Sequence, residues 1–95
     1  MNTWEKFRLK TMAKYAFWKK LDIWFNAIPN PFLTNVDWID ILITNHPANY
    51  NKLYTLDENS CYPIESNVYD TVLAWEVIEH VLNLEVFFSE ITRVL

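Results

Sequence analysis

The chain has 95 residues, 52% hydrophobic, 17% aromatic and 21% charged, a globular composition that excludes disorder and allows one domain, burying only about two-thirds of its unfolded surface. No apolar run approaches the roughly 18 residues of a membrane span, and charges interrupt the N-terminus where a signal peptide would be apolar, so the cytoplasm is the expected compartment. Charge is split along the sequence: Lys6, Arg8, Lys10, Lys14, Lys19 and Lys20 against Glu5 give +5 over residues 1–20, and Lys52 and Arg93 against eleven acids give −9 over the rest.

Residues 2 to about 27 read as one or two amphipathic helices. Asn2 stands three residues before Glu5, as in a capping box, and Trp4, Phe7, Tyr15, Trp18 and Phe25 recur at helical spacing. Pro29 and Pro31 then stop the helix. Two readings of this basic, aromatic segment, residues 1–28, stand side by side. Its aromatics pack against the rest of the domain while its lysines are solvated, or they enter a membrane surface or stack on nucleic acid. The first is preferred, and nucleic acid is disfavoured by the net charge of −4.

Residues 36–43, V-D-W-I-D-I-L-I, are β-branched and apolar enough for a buried strand. A loop through His46 follows, with the histidine solvated. Residues 52–57 form a second short strand, and residues 58–67 are a polar connection. Cys61 lies there as a small semi-buried residue; as the single cysteine it rules out an internal disulfide and a multi-cysteine zinc site. Residues 69–75 make a third strand, apolar on both faces as a central parallel strand is. From Val77 the chain is helical, broken near Asn83, with Leu84, Phe87, Phe88, Ile91 and Leu95 as the apolar stripe of the last helix.

The stretch from Tyr62 to Leu95, Y-P-I-E-S-N-V-Y-D-T-V-L-A-W-E-V-I-E-H-V-L-N-L-E-V-F-F-S-E-I-T-R-V-L, resembles the middle of a class I S-adenosylmethionine-dependent methyltransferase of the type-11 kind. Pro63, Asp70, Glu76, Glu79, His80, Glu90, Arg93, Val94 and Leu95 fall on that family's pattern. The resemblance implies an α/β, partial Rossmann-like fold: a small, mainly parallel sheet over residues 36–95, preceded by the amphipathic helical segment. It also implies S-adenosylmethionine as cofactor and an unidentified methyl acceptor. Trp38-Ile39-Asp40-Ile41 is similar to the family's second strand, which makes Asp40 the candidate acceptor for the cofactor's ribose hydroxyls. By the same resemblance Asp57 stands near the adenine, and Trp75 lines the cofactor side of the sheet edge.

Glu76, Glu79 and His80, at i, i+3 and i+4, share one helix face. They could hold a divalent metal; the preferred reading leaves Glu76 and His80 facing the acceptor cleft without one, and His80 is the candidate general base. The departures are equally specific. The family's first strand ends in a glycine-rich turn that presses backbone amides against the cofactor. This chain contains no glycine, where ordinary usage predicts about seven. What remains resembles the second, third and fourth strands, without the first strand and without the strands that follow the last helix. Weak or absent cofactor binding is therefore expected. The rival expectation is a non-catalytic docking module that associates through its aromatic helix or an exposed sheet edge, as a homo-oligomer or with another partner.

Overall fold

A computed structural model describes residues 2–24, 29–41, 43, 45–56, 61–74, 77 and 81–95. The first element, α1 (Thr3–Tyr15), starts as the sequence predicts. The Asn2 side-chain oxygen accepts the Glu5 amide at 2.7 Å, and its amide donates back to Glu5 Oε1 at 3.2 Å. The helix expected as far as residue 27 ends here, because Ala16 turns to extended backbone and its N–H takes the Met12 carbonyl.

The main correction follows at once. Residues 20–23 form a strand, β1 (Lys20–Ile23), buried along its whole length. After it come β2 (Val36–Asp40), β3 (Tyr50–Thr55), β4 (Thr71–Leu73) and α2 (Leu84–Val94). The four strands pair in parallel in the order β3-β2-β1-β4. This is the 3-2-1-4 order of a doubly wound sheet, so the strand expected to be missing is present and central. The strand hid in the sequence because Lys20 and Asp22 alternate with Leu21 and Ile23, and charged residues do not announce burial. Each is satisfied by polar partners: Lys20 Nζ donates to the Trp18 carbonyl at 2.7 Å and the Thr34 carbonyl at 2.6 Å.

The two helices cover opposite faces of the sheet. On one face Ala16 from the end of α1 packs with Trp24, Leu33, Val36, Trp38 and Tyr50. On the other, Phe87 and Val94 of α2 pack with Leu21, Ile23, Ile39 and Tyr69. The alternation in β1 and β2 sets this: Asp22 and Trp38 are register partners on the first face, Ile23 and Ile39 on the second. The break expected near Asn83 is a helix start, its side chain capping Val86 N–H at 3.2 Å.

Without glycine, the left-handed turns among the described residues fall on Asn35, Asn67 and Trp18 at φ 49°, 59° and 58°. Asparagine tolerates that region, and tryptophan is the costly one. The aromatics expected to pack against the sheet divide. Trp24 is buried, whereas Trp4, Phe7, Tyr15, Phe17 and Trp18 stand in solvent. Cys61 is exposed as well, contrary to the semi-buried placement expected of it. No helix among the described residues is long and apolar enough to cross a membrane.

Candidate cofactor edge of the sheet

Open α/β sheets bind ligands beyond the carboxyl ends of their strands, so the candidate site is the edge where β1 gives way to Trp24 and β2 ends at Asp40. The two ends are in contact: Trp24 N–H donates to the Ile39 carbonyl at 2.9 Å, and Leu56 N–H donates to the Asp40 carbonyl at 2.9 Å. Asp40 therefore stands at the predicted edge. Its side chain is turned inward, with Oδ1 accepting the Ile41 N–H at 2.6 Å and the residue only 3% exposed. Of the other expected site residues, Asp57, Trp75, Glu76, Glu79 and His80 lie outside the described residues. Among the described residues no three His, Cys, Asp or Glu side chains are grouped to hold a metal ion.

The sequence reading missed the group beside Asp40. Asp22 Oδ2 accepts both the Trp24 indole N–H at 2.6 Å and the Tyr50 hydroxyl at 2.5 Å. Burial pushes this carboxyl up to about 7, and the two hydrogen bonds act in the opposite direction. The Trp24 ring lies 4.1 Å from that of Trp38 and 5.5 Å from that of Tyr50, centroid to centroid. Tyr50 Oη also accepts the Asn30 backbone N–H at 3.0 Å, and the Asn30 side chain reaches the Leu9 carbonyl at 2.9 Å. Trp24 thus folds back over the α1 side of the sheet, into a connected aromatic and polar cluster that ties α1, the loop after β1 and β3 together. The signal available was Leu21-Asp22-Ile23, which repeats the apolar, acid, apolar order of Ile39-Asp40-Ile41.

The resembling motif near the C-terminus proves to be a clamp. Arg93 donates to Glu90 Oε2 at 2.6 Å, to the Ile64 carbonyl at 2.7 Å and to the Tyr62 carbonyl at 3.1 Å. Glu90 in turn accepts the Tyr62 N–H at 2.8 Å. The Arg93 guanidinium holds the Glu90 carboxyl below its ordinary range. The Val94 carbonyl takes the Val68 and Tyr69 amides at 2.8 and 2.9 Å, which satisfies an acceptor that a helix end otherwise leaves open. Glu90, Arg93 and Val94 fix the connection into β4 against the last helix.

A parallel sheet in this order, with this clamp, defines a Rossmann-like domain. The chain belongs to the methyltransferase domain family, whose model matches residues 32–95. The match begins after β1, the strand that only the structure brings to light. No curated protein and no solved structure matches the chain. The family typically uses S-adenosylmethionine as its cofactor. Where the family has glycine amides at the exit of the first strand, this chain has a buried indole, and Asp40 spends a carboxylate oxygen on its own neighbour's amide.

Proposed function

We propose that this chain is a degenerate methyltransferase domain, one that keeps the family's sheet and clamp but binds S-adenosylmethionine weakly or not at all on its own. The carrying observation is Trp24. Its indole is 4% exposed, hydrogen-bonded to Asp22 and packed on Trp38. At the edge itself the Trp24 amide is already given to the Ile39 carbonyl at 2.9 Å, and a tryptophan stands where a glycine-rich turn would let a ligand approach the backbone. Equilibrium dialysis of the full chain against labelled S-adenosylmethionine tests this. Retention only at millimolar cofactor is expected, and saturable retention in the micromolar range contradicts it.

The second reading, a docking module, is favoured by β4. It is the outer strand of the described sheet, and beside it lies an apolar hollow of about 310 Å³ lined by Met12, Tyr15, Ala16, Val72, Leu73 and Ala74 among others. An unpaired edge beside an apolar hollow suits strand addition by a second chain. Sedimentation over a range of concentrations tests that reading, and a strict monomer counts against self-association.

A further inference from the structure

We infer that α1 is a peripheral docking element for anionic membrane surfaces, lying in the headgroup layer with its aromatic row toward the acyl chains. The inference is independent of the cofactor reading. Trp4, Phe7, Thr11 and Tyr15 follow one another at i, i+3, i+7 and i+11, so they line one face of the helix over about 16 Å. Trp4, Phe7 and Tyr15 are 64%, 62% and 70% exposed, and the Trp4 and Phe7 rings stack on each other at 6.0 Å. The opposite face carries Leu9, which is buried, and leads to the buried Ala16. The helix is therefore already anchored to the domain by its other side. Its aromatic row is surplus to the core.

The charge next to that row says what it faces. Lys6, Lys10 and Lys14, at i, i+4 and i+8, form an adjoining exposed row. The helix's only acid, Glu5, is engaged with Asn2 at the cap. An aromatic strip flanked by lysines is the arrangement of an interfacial helix, with rings at the acyl boundary and ammonium groups reaching the phosphates. The rest of the chain, at −9 over residues 21–95, is repelled by the same surface, which orients the domain with α1 down. An antiparallel pairing of two copies through this face is disfavoured because it sets one row of lysines against another.

The turn that follows α1 adds a second, separate observation. Trp18 sits at φ 58°, a costly region for its side chain, and the residue is 71% exposed. Lys20 Nζ and Asn35 Nδ2 hold its carbonyl at 2.7 and 3.1 Å, and its ring meets Phe17 edge-on at 5.1 Å. The turn thus presents two more exposed aromatic side chains directly after α1.

The test is co-sedimentation of the full chain with vesicles of phosphatidylcholine alone and of phosphatidylcholine with about 30% phosphatidylserine, at about 0.1 M salt. The chain is expected to partition onto the anionic vesicles at least about tenfold better than onto the neutral ones. K6Q/K10Q/K14Q is expected to weaken that partition about a hundredfold, roughly fivefold for each lysine. W4S/F7S weakens it about tenfold or more, whereas K52Q, on the exposed face of β3, leaves it unchanged. All these positions are exposed, so circular dichroism and melting of the variants should match the parent. Equal partition onto both vesicles, partition onto neither, or variants that bind like the parent would overturn the inference. So would a lipid-free dimer that W4S/F7S dissolves, or a single-stranded oligonucleotide that binds more tightly than the vesicles.

Discussion

Replacing Asp22 with asparagine should change how the stability of this domain depends on pH. Asp22 is 3% exposed, and burial raises its carboxyl from 3.8 to about 7. A carboxyl whose folded value lies above its unfolded value keeps its proton longer in the folded state. The folded protein therefore binds more protons between the two values, and stability falls as pH rises through that window. A shift of about 3 units corresponds to about 4 kcal/mol at 1.36 kcal/mol per unit. That is a large share of the roughly 5–10 kcal/mol expected of a small domain. The asparagine amide oxygen still accepts from Trp24 and Tyr50 and never ionises. Urea unfolding at a series of values between about pH 5 and 8 should show the parent losing stability steadily. The D22N variant should be flatter and, at the alkaline end, more stable than the parent. Glu90 works in the opposite sense: Arg93 lowers its carboxyl, so its stabilisation is lost only as pH falls below the ordinary carboxylate range, outside this window. A parent curve that is level across the window, or a D22N curve with the parent's slope, would refute the reasoning.

Other substitutions probe the remaining polar contacts. Arg93→Met removes the donors to Tyr62, Ile64 and Glu90 together; it should cost about 3 kcal/mol in denaturant unfolding, and Glu90→Gln in the same background should recover part of the loss. Tyr69→Phe takes the hydroxyl from Asp37 Oδ2, a bond of 2.6 Å, and leaves that buried carboxyl with the Lys52 amide on Oδ1. About 2 kcal/mol of stability should go with it, read as a lower urea midpoint at unchanged slope. Trp24→Phe and Trp38→Phe lose the same volume but differ in what their indole N–H does: that of Trp24 donates to Asp22, whereas that of Trp38 is buried with no acceptor among the described residues. The first variant should be less stable than the second by about 2 kcal/mol, and equal melts would contradict the assigned bond.

How much of this was legible in the sequence depended on where charge sat. The capping of α1, the start of α2 at Asn83 and the strands β2 to β4 were readable because their apolar spacing and cap residues agree with their final structure. The fold class and family followed from the residues around Glu90 and Arg93, although those two work as a structural clamp. β1 was unreadable because it is four residues long and half of it is charged. Periodicity carries little over so short a run, and only the partners at 2.5–2.7 Å on Lys20 and Asp22 explain why the charges are inside. The exposed aromatics of α1 were misplaced for the converse reason, since side chains that usually enter a core carry no mark of staying out. At the candidate site Asp40 was found at the edge expected of it, and its inward turn toward Ile41 depends on backbone geometry that spacing does not express.

The central proposal is that this methyltransferase-family domain, with Trp24 after β1 in place of a glycine-rich turn, does not hold the family's cofactor on its own. Calorimetric titration of the full chain with S-adenosylhomocysteine near neutral pH tests it most directly. The account predicts no saturable heat below millimolar ligand; a one-to-one isotherm with a micromolar Kd would contradict it.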